Sequence, residues 1–219
     1  MSRIYRWHPK ISSDLGGPVV RKAALHLQQS DIDNACGIHC ILMSLLAFGI
    51  VQRDDVEELS KATSVSLGGL WESFKPFYFV GAKPRQLKSF LDPYKGSVRC
   101  KVFMKNPIPN AIKTLEVDGM CIVGLRGKDF RHWVLAIGTG SKEERGDVET
   151  LLILDPSIPP IPLLPWNAVL TVKAGRRDKH RYATEFDTTK LIVESVLTLT
   201  RDFTEIDFDL DGELALLGK

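Results

Sequence analysis

Three short apolar runs constrain this chain more than any other feature of it. They are Met120-Cys121-Ile122-Val123-Gly124-Leu125, His132-Trp133-Val134-Leu135-Ala136-Ile137-Gly138 and Thr150-Leu151-Leu152-Ile153-Leu154-Asp155. Separated by polar turns, they read as strands of one sheet. Lys190 to Thr200, rich in β-branched residues, is a further strand candidate. Upstream the character is helical. Asn34 is a good N-cap for a helix with apolar side chains at 38, 41, 42, 45 and 46, a stripe wide enough to demand burial. Gly49 fits its C-terminal stop. Residues 53–63 and 84–92 read as more exposed helices with a Leu67-Gly68-Gly69 turn between them, and Asn110 to Glu116 as a short one. Helices first and an antiparallel sheet afterwards predict an α+β fold, with the buried helix packed on the sheet.

The 219 residues divide into a polar, basic arm (1–24) with a turn at Gly16 to Pro18, a domain (25–200) and an acidic tail (201–219). Residues 156–165 carry five prolines and read as an irregular loop. A chain of this length can bury a sizeable core. Its 44% apolar and 26% charged residues are ordinary for a globular protein, and a net charge of +2 gives no basis for a nucleic-acid or membrane partner. The densest basic stretch, Lys173 to Arg181, reads as a solvated loop. Met1 to Lys10 lacks the apolar core of a secretory signal, and no run approaches the ~20 apolar residues of a membrane helix. Four cysteines (Cys36, Cys40, Cys100, Cys121) do not resemble a disulfide framework, so the expected site of synthesis is a reducing cytoplasm. Export without a cleaved signal fits the same features.

Chemistry concentrates at Cys36, which falls in the first turn of the buried helix. There unpaired N–H groups and the helix dipole favour thiolate, the nucleophilic form. Such a nucleophile needs a base, and the base an orienting group. His132 opens one predicted strand and Asp155 closes the next, so an antiparallel hairpin would set them side by side. Cys40, one turn further along the helix, reads as a buried structural thiol. A zinc site from Cys36, His39 and Cys40 lacks support, because Cys100 and Cys121 have no partner at ligand spacing. No cofactor is expected.

The order Cys, His, Asp and its local contexts resemble the papain-like cysteine peptidases, and most closely the double-glycine peptidases that process bacteriocin leaders. The matching pieces are Gln29, Cys36-Gly37, Cys40 and the helix to Gly49, then His132-Trp133-Val134 and Asp155-Pro156. They cover about residues 25 to 160. Asn34-Ala35 stands where that family has Asp, and Gln29 lies one residue further from Cys36 than the family spacing. Asn-Ala-Cys-Gly is similar to ubiquitin C-terminal hydrolases, and Cys-Gly-Ile-His-Cys to Josephin deubiquitinases. The resemblance implies a papain-like fold and peptide-bond hydrolysis by Cys36, His132 and Asp155 through a thioester. It also implies an oxyanion hole from the Cys36 N–H and the amide of Gln29 or, given the shifted spacing, Gln28. Each donor contributes about 3 kcal/mol. Cleavage after small residues such as Gly-Gly, a role as an interbacterial toxin, and a cognate immunity protein as partner follow from the same likeness. So do the alternatives of a ubiquitin-like deconjugase, an acyl transferase or a non-catalytic leader-binding module. Gly16-Gly17 and Gly68-Gly69 each follow a leucine, as in double-glycine cleavage sites, but read better as turn glycines.

Overall fold

A computed structural model describes residues 3–59, 65–144 and 146–202. The chain opens with strand β1 (Ile4–Trp7) and the short strands β2 (Ser12–Asp14), β3 (Gly17–Val20) and β4 (Ala23–Ala24). Helix α1 (Cys36–Phe48) follows, then α2 (Arg53–Glu57), α3 (Val65–Phe74) and α4 (Pro84–Phe90). Strand β5 (Val98–Phe103) and helix α5 (Pro107–Leu115) lead into β6 (Met120–Arg126), β7 (Arg131–Ser141) and β8 (Val148–Leu154). The last strands are β9 (Ala168–Thr171), β10 (His180–Thr184) and β11 (Thr188–Arg201). Among the described residues the strands form an eight-stranded antiparallel sheet and a small sheet of β2, β3 and β4, which makes the fold α+β.

Six strands of the large sheet close on themselves. The pairing runs β7–β6–β11–β10–β9–β8, and β8 returns to β7 with Leu154 opposite Leu135 and Ile153 opposite Ala136. Alternation then divides the apolar side chains between two cores. Cys121, Val123, Leu125, Val134, Ala136, Leu151, Ile153, Leu170, Tyr182 and Val196 share one cluster, the interior of the ring. Met120, Ile122, Leu135, Ile137, Leu152, Leu154, Leu197 and Leu199 belong to the other, together with α1. Strands buried on both faces have no polar side to show, so they read as continuous apolar runs.

Every residue of α1 except His39 is buried. The helix stops where expected: Gly49 takes the left-handed conformation, and the N–H groups of Gly49 and Ile50 return to Leu46 and Leu45. Its start differs from the sequence reading. Ala35, not Asn34, is the N-cap residue and offers no side-chain cap. Asn34 is drawn away by the neighbouring loop, its amide donating to the Phe79 carbonyl at 2.6 Å and its N–H to Tyr78 at 3.0 Å.

The expected turn at Leu67-Gly68-Gly69 is instead part of α3, a helix whose Leu70 and Phe74 are fully buried. Tertiary burial there outweighs the glycine penalty. Of the helix expected over 53–63, Arg53–Glu57 is helical and residues 60–64 lie outside the described residues, as does the tail from 203. The basic stretch 173–181 ends inside β10 rather than in a loop. The first residues of the arm join the large sheet: β1 pairs with β7, Trp7 opposite Gly138 and Tyr5 opposite Gly140. A Cβ on Gly138 would lie 2.2 Å from the Arg6 carbonyl oxygen, so a glycine is what lets this strand approach. No described helix is long and apolar enough to cross a membrane.

Candidate active site

The N-terminus of α1 meets the end of the ring where β7 begins and β8 finishes. Two glycines shape this contact. A Cβ on Gly37 would sit 2.7 Å from a Leu87 methyl and 3.1 Å from the Trp133 ring, so only a bare Cα lets the first turn of α1 lie this close. The far edge of Trp133 lies where a Cβ on Gly124 would be, at 2.8 Å. The indole is pinned by its N–H to the Ala82 carbonyl at 2.9 Å. Residue 133 is thus a packing element between helix and sheet, directly after His132.

The register of β7 with β8 brings the predicted pair together. His132 Nε2 donates to Asp155 Oδ1 at 2.7 Å, with the two side chains only 14% and 3% exposed. Cys36 lies near enough to the same imidazole to act on its charge. Because Nε2 is taken by Asp155, Nδ1 is the ring nitrogen left for the sulfur. Cys36, His132 and Asp155 line one cleft of about 370 Å³, with Gln29 and Asn34 on the helix side and Phe130, Ser157, Ile158 and Tyr182 on the sheet side.

Burial opposes the charge on His132, but the hydrogen bond to Asp155, the charge of that carboxylate and a further contribution from Cys36 push its pKa up to about 10. Burial likewise opposes charge on Asp155. Hydrogen bonds from His132, Ser157 and Tyr182, with the imidazolium charge, bring its pKa down to about 2. The larger rise on His132 has a second source, since Cys36 adds to what Asp155 supplies. The pair is therefore an imidazolium facing a carboxylate across neutral pH. Burial pushes the Cys40 thiol well up, and Cys40 Sγ points to the Trp133 carbonyl at 3.5 Å, inside the core.

Of the two glutamines, Gln29 lines the cleft and Gln28 is exposed outside its lining. Gln29 Nε2 donates one N–H to the Asp33 carbonyl at 2.6 Å, and its backbone N–H donates to Pro156 at 2.7 Å. Asp33, buried, braces the intervening loop. Its carboxylate accepts the Ser30 N–H and hydroxyl and the Ala35 N–H. The His39 ring bonds the Ala35 carbonyl through Nδ1 at 2.9 Å, and no described group of three or more His, Cys, Asp or Glu could hold a metal ion.

Sequence reasoning missed the residues that hold Asp155. Its Oδ1 also accepts the Ser157 N–H (2.8 Å) and hydroxyl (2.6 Å), while the Tyr182 hydroxyl donates to Oδ2. Asn167, 1% exposed, takes the Asp155 N–H at 2.7 Å and returns its amide to the Asp155 carbonyl at 2.9 Å. His26 Nε2 donates to that carbonyl as well, at 3.0 Å. Tyr182 left a faint signal in the His180-Arg181-Tyr182 alternation, buried, exposed, buried. Asn167 left none. No protein-family model matches the chain, and no curated protein matches it either.

Proposed function

We propose that this protein is a papain-like thiol peptidase that cleaves an extended peptide through a thioester on Cys36. The observation that carries the reading is the single imidazole of His132, hydrogen-bonded to Asp155 at 2.7 Å through Nε2 and sharing the wall of one open cleft with Cys36, which acts on its charge. A cysteine sulfur that has given its proton to an adjacent imidazole, with an anionic group orienting that imidazole, is what acyl transfer by cysteine requires.

In the first step Cys36, its proton held by His132, attacks the peptide carbonyl carbon as the thiolate. The C–S bond forms and the π electrons move to oxygen. The oxyanion is met by the Cys36 N–H at the start of α1 and by the second N–H of the Gln29 amide, whose first is fixed on Asp33. Collapse breaks the C–N bond as His132 passes its proton to the departing amine. Water, deprotonated by His132, then attacks the thioester carbon; collapse breaks the C–S bond and releases the acid, which restores the Cys36 thiolate beside the protonated His132. Asp155 keeps the ring aligned and remains an anion throughout.

The test is profiling of cleaved peptides by the full chain beside Cys36→Ala, with iodoacetamide labelling at mildly acidic pH as a companion. New cleavage products from wild type alone, and faster labelling of Cys36 than of Cys100 or Cys121, support the reading. Equal cleavage by both proteins would sink it.

A further inference from the structure

Of the side chains that the strands beyond the proline loop bring to the cleft, Tyr182 is the one that hydrogen-bonds Asp155. Tyr182 stands on β10, opposite Leu170 of β9 and Thr189 of β11, and is 5% exposed. Its ring belongs to the interior of the closed sheet, and its hydroxyl emerges at the end where Asp155 leaves β8. Asp155 Oδ1 serves His132 and Ser157; the donor to Oδ2 among the described residues is the Tyr182 hydroxyl.

We propose that Tyr182 is a positioning residue for the His132–Asp155 pair, its hydroxyl locking Asp155 Oδ2 so that Oδ1 stays aimed at His132 Nε2. This rests on the reading of Cys36, His132 and Asp155 as the reacting group. Without that donor Oδ2 would be a buried anionic oxygen with no partner, and the carboxylate could turn about its Cβ–Cγ bond. The phenol dipole also acts on the proton. Its positive end faces the pair, so it steadies the carboxylate and disfavours further positive charge on the imidazole. Removing the hydroxyl leaves a less satisfied carboxylate that holds the imidazolium proton more tightly.

Other ionisable groups surround the pair and are the same residues in every variant tested. Cys36 and Cys40 face it from α1, His26 from the segment before α1, Arg131 from β7 and Asp187 from the β10–β11 turn. Arg131 is engaged by Glu194 at 3.0 Å.

The experiment is NMR titration of His132 in the unliganded full chain, with circular dichroism to confirm folding. Tyr182→Phe keeps the ring in the core and should raise the His132 midpoint by about one pH unit, a tenfold gain in proton affinity, while shifting the low-field Nε2 proton resonance. Substituting 3-fluorotyrosine at position 182 alone makes a stronger donor of nearly unchanged shape and should move the midpoint down. If Tyr182→Phe fails to fold, the fluorotyrosine protein decides by itself. A midpoint unmoved in the folded variants overturns the proposal. Because the readout is a proton and not turnover, it stands apart from the cleavage test with Cys36→Ala.

Discussion

At the sheet end of the cleft, Asp155 has a hydrogen-bond partner at each of its polar atoms, backbone and side chain alike. At the helix end, Cys36 starts a helix without a side-chain cap, and the helix is set by contact: Gly37 against Leu87 and Trp133, with the rest of α1 buried behind it. Under the proposed function, the difference follows from what each half would supply. A base and its orienting anion depend on angle, and hydrogen bonds are angular. A sulfur nucleophile depends on distance to the imidazole, and close packing fixes distance. Gln29 joins the halves, with its backbone tied to Pro156 and its side chain to Asp33.

The largest effect should come from the hydrogen-bonded half. Asp155→Asn places an amide where His132, Ser157 and Tyr182 all donate, and it removes the anion that fixes the imidazole. Turnover at saturating peptide should fall about 10³–10⁴-fold. A loss under tenfold would break the contrast. Gln29→Ala should cost about 10²-fold in kcat/KM if the proposed oxyanion donor is lost, whereas Gln28→Ala, exposed and outside the cleft, should leave it unchanged. Equal losses for both would move the donor elsewhere.

The ion pair should also set the pH dependence of stability. The His132 pKa is raised from its ordinary 6.5 to about 10, so its share is fully present below about pH 6.5 and is lost as pH rises toward 10. The Asp155 pKa is lowered from 3.8 to about 2, so its share is present above pH 3.8 and is lost as pH falls toward 2. Both limbs report one interaction, strongest between those windows and contributing about 2 kcal/mol. Thermal midpoints of wild type should therefore fall on either side of pH 4–6.5, and the Asp155→Asn curve should be flatter in both limbs. Parallel curves would remove the pair from the stability of the folded chain.

How much of this was legible beforehand followed the same division. The runs that became β6, β7 and β8 stood out because both of their faces are buried, and the end of α1 stood out through Gly49. His132 and Asp155 could be paired because hairpin geometry is local. Strand β1 was not legible, since its exposed residues pair only because Gly138 and Gly140, more than 130 positions away, lack side chains. Tyr182 and Asn167 were hidden for another reason: each meets Asp155 across the irregular proline loop of residues 156–165, whose path no periodic pattern in the sequence sets. The start of α1 was misplaced by one residue because Asn34 found a partner on another loop.

The contact-held half can be probed with two helix glycines of opposite expected sign. Gly69 lies in α3 with nothing within 4 Å of an added Cβ, so Gly69→Ala should stabilise by about 0.5–1 kcal/mol through helix propensity alone. Gly37 enjoys the same propensity gain in α1, but its new methyl would meet Leu87 at 2.7 Å and Trp133 at 3.1 Å. Leu87 is fully buried and Trp133 is pinned through its indole N–H, so neither can step aside cheaply. Overpacking of this kind costs about 1–3 kcal/mol, which leaves a net loss on the order of 1 kcal/mol once the helix gain is subtracted. Relief would come by pushing the first turn of α1 away from His132, so labelling of Cys36 by iodoacetamide should change along with stability in Gly37→Ala and in neither respect unfavourably in Gly69→Ala. Denaturant melts of the two variants beside wild type check the sign. A Gly37→Ala protein as stable as Gly69→Ala, with unaltered Cys36 labelling, would mean that something other than close approach holds Cys36 in place.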